Sequence, residues 1–454
     1  MFPSGPTRSF AAKPGHGRRA ENRKGHGLDQ GKTPVRPLKL AMVSKATAPG
    51  GGASRVAEDL AALLRADGCA VDHWVGYYSG TPRPGLRQLH GPRPVRALVR
   101  LAHRLSGRLG WPELLPAELA ILGPRLWRYD AVHFHDLPGA VSPLTVLAAQ
   151  GAGPCLLTLH DCSFFTGGCI QPLECPRFTV GCGHCPQRGI WPLSAGPDRT
   201  AALARLKRRI VRVGVATGRL HLVAPSHWMA GMVAKVGLDV PVTVIPNGVD
   251  TRTYAPLPRE QARAGLDLPA GRPVVLLLTG SLADRFKGIA QAAEALRLLP
   301  EPRPAILAIG LPDPAIRELF AGFDIRFPGY IADRAGLARR IAAADVLLYP
   351  SLADNLPLTV LQAMACGVPV VSFATGGIPE MIDQAENGWL APRGDIPALA
   401  QGLRVALAPG RAVAWGRAAR EKAVVRFDEA RFLAAHRELY RRVCRPQAQP
   451  RHQA

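Results

Sequence analysis

The chain has 454 residues, 47% of them hydrophobic, and a formal net charge of +23. That length exceeds one ordinary hydrophobic core and predicts two domains, while no apolar run reaches the roughly 18 residues of a membrane span and the first 37 residues hold no apolar segment of a secretory leader. The charge favours anionic partners (nucleic acid, lipid headgroups or phosphorylated substrates) or reflects a coding bias toward Arg, and nine cysteines in so long a chain read as cytosolic thiols, not a disulfide framework.

Residues 1–37 are rich in Gly, Pro, Arg and Lys, with Glu21 and Asp29 as the only acids, and are expected to form a disordered basic tail. A first strand is predicted at 38–43, a Gly-rich turn at 49–54 and a helix at 55–64. Strand, glycine turn and helix is the layout of a loop whose backbone approaches a phosphate, with Gly51 and Gly52 as candidates. It is neither G-x-G-x-x-G nor a P-loop, and a plain tight turn accounts for it equally well.

Residues 83–110 carry seven arginines and no acid. Arg93, Arg96, Arg100 and Arg104 recur at helical spacing, with Val95, Leu98, Val99, Leu101 and Leu105 between them. A helix of this kind lies on an anionic bilayer, tracks a phosphate backbone or simply presents a solvated cationic face.

Strands predicted at 131–134 and 155–159 end in His135-Asp136 and His160-Asp161. Two His-Asp pairs at strand carboxyl ends suggest a pocket, and His160 is the stronger candidate because its strand end and the Gly51 turn share a rim. Five cysteines then crowd the loop 162–187. Cys169, Cys175, Cys182 and Cys185, spaced C-x5-C-x6-C-x2-C, suit one tetrahedral Zn²⁺. The spacing is unlike a standard zinc ribbon; free thiols and two disulfides fit it as well, and an iron–sulfur cluster less well. A loop without a core of its own would gain closure from a structural metal.

A basic helix at 203–213 and strands at 222–226 and 242–246 complete a first domain, 38–252, and 253–272 reads as a linker. The second domain, 273–427, opens with a strand at 274–278 that runs to Gly280-Ser281. Arg285-Phe286-Lys287-Gly288 begins the next helix. A cation there opposes the helix dipole and makes sense if an anion sits there too. Further strands are predicted at 305–309 and 324–327, before Tyr330 and Ile331.

The most informative stretch is 346–380: a strand buried on both faces, a polar loop, Pro357 at a helix start, a helix at 358–365 stopped by Gly367, a strand at 368–373 and Gly376-Gly377. It puts a helix N-terminus at the carboxyl edge of a parallel sheet, where free N–H groups suit an anionic ligand. Asp354, Thr359 and Gln362 add a carboxylate, a hydroxyl and an amide, which suits a phosphorylated, hydroxyl-rich ligand; an ordinary βαβ crossover is the plain alternative. A last helix at 431–442, within a segment 428–454, is expected to pack back on the first domain.

IPNGVD (245–250), KG (287–288), PSLADNLPLTVLQAMACGVPVV (350–371) and GGIPE (376–380) together resemble a retaining glycosyltransferase of family 4 (group 1), over roughly residues 38–443. HDCSFFTGGC (160–169) with CGHCPQ (182–187) is similar to a subgroup that builds bacterial exopolysaccharides of colanic-acid type. The resemblance implies an α/β GT-B fold: two doubly wound Rossmann-like domains facing a cleft, here with a Cys-rich loop in the N-terminal one.

It also implies roles. Lys287 would bind the donor diphosphate, Asp354 would contact the sugar and Gln362 the ribose hydroxyls. Asn355, Leu356, Pro357, Leu358 and Thr359 would serve sugar and phosphates, Tyr330 and Ile331 the base. His160 would stand beside the donor sugar, and Gly51-Gly52 near diphosphate and acceptor. Two departures stand out. Gln362 replaces a Glu and so loses a charge-assisted hydrogen bond. Ser281 stands where many members have Arg, leaving Arg285 to reach the phosphates. The implied reaction moves a sugar from a UDP- or GDP-type donor to a glycan or polyprenyl-diphosphate-linked acceptor, with no cofactor required for catalysis and zinc only as a structural element. The enzyme would be cytoplasmic and peripheral on the inner membrane face through the Arg93–Arg104 helix. The alternatives are a GT-B protein with epimerase or no transferase activity, from Gln362, and a zinc-containing nucleic-acid-binding protein, which leaves the two α/β halves unexplained.

Overall fold

The computed structural model describes residues 36–78, 83–269 and 271–444. The basic tail expected at 1–37 lies outside the described residues except for its last two positions, and so do residues 445–454.

Two parallel sheets organise the rest. The first contains β1 (Lys39–Ala46), β2 (Ala70–Tyr77), β3 (Leu86–Gln88), β4 (Ala131–Phe134), β5 (Cys155–Thr158), β6 (Leu220–Ala224) and β7 (Val242–Val244), in the order β3-β2-β1-β4-β5-β6-β7. The second contains β8 (Val274–Ser281), β9 (Ala305–Leu311), β10 (Ile325–Gly329), β11 (Val346–Tyr349), β12 (Val370–Phe373) and β13 (Gly388–Ala391), in the order β10-β9-β8-β11-β12-β13. In each sheet the order reverses beside the first strand, which opens a crevice at the carboxyl edge.

The apolar runs explain this layering. Along β8, Val274, Leu276 and Leu278 enter the core on one face, and Val275 and Leu277 enter the core on the other. Along β1, Ala41 and Val43 alternate in the same way with Leu40 and Met42. A strand buried on both faces must be apolar at every position. β2 escapes that rule: Asp72 and His73 interrupt its apolar pattern, and buried His73 is satisfied by Ser44 Oγ at 2.8 Å. Neither β2 nor β13 was apparent from the sequence pattern.

The chain passes between the halves along two segments that pair with each other. Val249 N–H donates to Phe427 O at 2.8 Å, and Glu429 N–H donates to Val249 O at 3.1 Å. The segment read as a linker, 253–272, is packed onto the second half. Tyr254 and Ala262 belong to that half's core, and Arg263 reaches Asp345 at 2.7 Å. The helix Glu429–Val443 returns to the first sheet, where Phe432, Leu439, Tyr440 and Val443 pack with Leu40, Met42 and Leu60. Its Tyr440 hydroxyl bonds His133 Nδ1 at 2.6 Å in a fully buried setting.

Removing that hydroxyl leaves a buried ring nitrogen without its partner, which costs about 1–3 kcal/mol. Tyr440→Phe is therefore expected to lower the thermal midpoint by several degrees. A midpoint equal to that of the parent chain contradicts this account of the returning helix.

Candidate active site between the two sheets

The carboxyl edges of the two sheets face each other across a cleft with two connected lobes. The first, of ≈ 480 Å³, is lined from the first half by the turn Ala48–Gly50, Gly51, Gly52 and Arg55, and from the second by Ser281, Tyr330, Ile331, Arg334, Thr359 and Gln362. The second, of ≈ 360 Å³, is lined by Lys45, Asp136, Asp161, Gln171 and Trp191 on one side and by Lys287, Tyr349, Asp354, Pro357 and Leu358 on the other. Gly51, Gly52, Ser281, Leu358 and Thr359 border both lobes. Gly51 has φ 122°, a conformation that favours glycine, and a Cβ built there meets nothing within 4 Å. Its backbone is thus bare toward the cleft.

A polar knot sits on the second half's wall. Asp354 Oδ2 accepts from Lys287 Nζ at 2.7 Å, Tyr349 OH at 2.7 Å and Ser351 Oγ at 3.0 Å. Burial on its own would push Lys287 down, but the Asp354 carboxylate more than offsets it, and the ammonium is held well above its usual range. Lys287 is thus a fixed cation at every physiological pH. Behind the knot, Gly376 has φ 58°, and a Cβ there would fall 1.5 Å from Asp354 O. Only glycine lets the 374–377 turn back the loop that carries Asp354.

The next residue along the chain does a different job. Asn355 is buried and reaches into the first half: its Nδ2 donates to Leu159 O at 3.0 Å and His160 O at 3.2 Å, and its Oδ1 accepts from Ser226 Oγ at 2.6 Å. Glu380 also crosses, taking the backbone N–H groups of His227 at 2.9 Å and Trp228 at 2.8 Å. These are orphan donors at the start of the helix His227–Lys235, where a carboxylate also suits the dipole. Arg334 and Asp59 form a third link across the cleft.

Residues 50–253 match the model of glycosyltransferase family 4, and residues 273–408 match that of the group 1 glycosyl transferases. The 2-deoxystreptamine N-acetyl-D-glucosaminyltransferase of Streptomyces fradiae is 33% identical over 336 residues, covering 70% of this chain and 72% of that one. The chain belongs to the group 1, family 4 glycosyltransferases. A putative colanic acid biosynthesis glycosyl transferase of Escherichia coli, WcaC, is 25% identical over 74% of this chain and 83% of its own. Among solved structures, Anabaena HepE, crystallised with UDP and glucose, superposes with a TM-score of 0.63 at 18% identity over 88% of this chain and 99% of that one. The fold is GT-B.

Within this glycosyltransferase, several residues singled out from the sequence stand apart from the cleft lining. Arg285 is exposed, with its guanidinium 4.8 Å over the Phe286 ring, and borders neither lobe. Asn355 and Leu356 are buried at the seam between the halves, and Leu356 O accepts from Asn247 Nδ2 at 2.8 Å. His160 borders neither lobe; its Nε2 edge turns inward to His135 Nδ1 at 3.0 Å. Gln362 does face the first lobe, with its Nε2 donating to Tyr254 OH at 3.2 Å.

The sequence reading missed other members of the lining, Lys45, Arg55, Arg334 and Tyr254 among them. Lys45, at the end of β1, lies 3.3 Å from Asp136 Oδ1 and 4.8 Å above the Trp191 ring. Arg55 lies one turn past the glycines, and Arg334 opens the helix Arg334–Ala342. Tyr254 comes from the supposed linker. The signal for Lys45 and Arg334 was positional: each sits beside a strand's carboxyl end.

His160 is half-buried and stands among four buried imidazoles, His73, His133, His135 and His436. His133 and His135 rings stand 4.1 Å apart, and His436 lies 5.8 Å from His133. Burial lowers His160 to about 3 and His73 and His436 to about 4, and holds His133 and His135 well below the normal range. A base depressed on folding contributes stability that is present above its unfolded pKa of ~6.5 and lost as pH falls toward the folded value. Glu113 at about 7 and Asp161 at about 6, both raised by burial, act in the opposite sense. Burial also raises Asp59, Glu118 and Glu429 and lowers His90, His103 and His221, so eight depressed imidazoles outnumber five raised carboxyls and the net effect is acid destabilisation. The thermal midpoint is expected to fall steadily from pH 6.5 to 5, above the ordinary carboxylate range; a flat profile there contradicts the assignment.

Proposed function

We propose that this enzyme transfers a sugar, with retention, from a nucleoside diphosphate sugar to an acceptor hydroxyl of a growing cell-surface polysaccharide. The observation that carries the reading is the second lobe, where the Lys287 cation and the N-terminus of the helix Leu358–Ala365 share one wall. Departure of a diphosphate builds negative charge on its β-phosphate. A fixed ammonium and free helix N–H groups at Leu358 and Thr359 are suited to receive it. Tyr330, Ile331 and Gln362 border the first lobe, which has room for a nucleoside. HepE was crystallised with UDP and glucose in the same fold, and the relative WcaC is assigned to colanic acid synthesis.

In the step itself the anomeric C–O bond to the diphosphate breaks and a C–O bond to the acceptor forms on the same face. The acceptor proton passes to the departing phosphate. Asp354 holds Lys287 in place and offers its carboxylate to the sugar hydroxyls. Gln362 holds the ribose hydroxyls through neutral hydrogen bonds. Lys287→Ala is expected to lower kcat for turnover of UDP- or GDP-sugars by about 10²–10³-fold, the range for losing one preorganised charge-stabilising donor. Turnover equal to that of the parent chain in a coupled nucleotide-release assay removes Lys287 from the reaction.

The acceptor reading is lipid-linked and rests on the helix Arg93–Arg108. It buries Val99 and Ser106 but exposes Leu98 (67%), Leu101 (51%), Leu105 (49%) and Leu109 (66%) along one ridge. Arg93, Arg96, Arg100 and Arg104 form the adjacent ridge, without an acid between them. Leucines entering the headgroup region beside a cationic row are the pattern of an interfacial helix. No helix among the described residues is long and apolar enough to cross a membrane. The protein is expected to co-sediment with vesicles rich in phosphatidylglycerol at low salt and to be released at high salt. The quadruple change of those arginines to Gln should abolish sedimentation; indifference of the parent chain to such vesicles defeats the membrane reading.

A further inference from the structure

Between β5 and the helix Thr200–Ala216 the chain runs through residues 160–199 with no strand and only the one-turn helix Arg177–Val180. Yet this segment is not loose. It sends Phe164, Phe165 and Phe178 into the first half's core, and it carries Ile170, Gln171 and Trp191 to the wall of the second lobe. A stretch with so little backbone pairing needs another source of order.

Cys169, Cys175, Cys182 and Cys185 converge on one small cavity, shared with Phe178, Leu193 and Thr200. All four are unbridged thiols. All four border the cavity, Cys169 buried and the other three half-buried. The backbone is shaped around the last pair. Cys182 has φ 64° and His184 φ 47°, left-handed values that side-chain-bearing residues rarely adopt, with Gly181 and Gly183 also at positive φ. Gly167 N–H donates to Cys182 Sγ at 3.1 Å, a bond that a thiolate accepts far better than a thiol.

A separate observation comes from the neighbouring helix. Lys207 and Arg208 are both buried beside this cavity. Lys207 Nζ donates to Ser163 O at 2.9 Å; Arg208 donates to Phe165 O at 2.9 Å and to Phe178 O. Among the described residues neither forms an ion pair with a carboxylate, although Glu113 and Asp161 act on Lys207 from farther away. The thiols of Cys169 and Cys182 act on Lys207 as well, and Cys182 acts on Arg208. Two buried cations with only carbonyl partners are costly unless an anionic centre lies next to them. Four thiolates around one divalent ion carry a net charge of −2, which these two cations would neutralise.

We propose that Cys169, Cys175, Cys182 and Cys185 bind one Zn²⁺ as a tetrahedral tetrathiolate that closes the 160–199 loop and so sets the wall formed by Ile170, Gln171 and Trp191. Binding releases the thiol protons to solvent, four for four thiols, and leaves Zn(SR)₄²⁻ beside Lys207 and Arg208. As the side chains stand, no three His, Cys, Asp or Glu among the described residues are close enough to hold an ion. Rotation about Cα–Cβ swings a cysteine sulfur by roughly 3 Å between staggered positions, and the proposal requires such rotation to gather the four sulfurs.

The test uses the full chain, purified without chelator. Elemental analysis is expected to return about one zinc per chain. Exchange with Co²⁺ should give the sulfur-to-cobalt charge-transfer and visible bands of a tetrahedral thiolate site. Cys175→Ser and Cys185→Ser should each lose the charge-transfer band or weaken zinc binding at least tenfold, while Cys444→Ser, outside the loop, should retain both. Four reactive thiols with no bound metal, two disulfides, or iron with labile sulfide would each overturn the assignment. None of these readouts depends on turnover, so the outcome is separable from that of the nucleotide-release assay on Lys287→Ala.

Discussion

The loop that carries Asp354 and Asn355 is the joint on which this molecule depends. These two residues are neighbours in the chain, yet their side chains turn to different halves of the enzyme. Asp354 turns to its own half and gathers Lys287, Tyr349 and Ser351. Asn355 turns to the other and bonds the carbonyls just past β5 and Ser226, the cap of the helix His227–Lys235. A buried amide with all these bonds is stable, and one with any of them broken is costly. The Lys287 ammonium and a contact between the two halves are thus held by neighbouring residues.

The net charge of +23 suggested an anion-binding surface, but most cations of the cleft are paired with a carboxylate. Lys45 faces Asp136, Lys287 faces Asp354, and Arg334 faces Asp59. Each cation in these pairs is fixed in position by its carboxylate. An anion that bound there would meet donors already oriented. Arg55, in the first lobe, forms no ion pair among the described residues, nor do the arginines of the Arg93–Arg108 helix, which stand beside exposed leucines. Charge in the cleft therefore serves geometry, and charge on that helix serves the surface.

The same logic extends to the Cys-rich segment. It begins at the strand end that supplies His160 and Asp161, and it ends at a helix whose Lys207 and Arg208 point back into it. Its outer wall borders the lobe opposite Lys287 and Asp354. The first half thus contributes to the cleft through a segment without regular structure, whereas the second half contributes through strand ends and a helix start. The two sides of the cleft are held rigid by different means.

Much of this protein was legible in its amino acids alone. Val274–Leu278 and Val346–Tyr349 are apolar at every position because both faces of their sheets are covered, and that rule holds before any coordinates are known. Pro357 and Gly367 bracket a helix for local steric reasons, so its N-terminus at a sheet edge could be placed from the sequence. Other features needed the fold. β2 was hidden because Ser44, on a neighbouring strand, satisfies the His73 in its middle. The inward turn of the His160 ring depends on His135, 25 residues away, and the pairing of Asp59 with Arg334 spans 275. Local pattern reports what each residue does to its own backbone and which face must be dry. It carries no record of which distant side chain will satisfy a charge, and that is settled only when the two sheets close on each other.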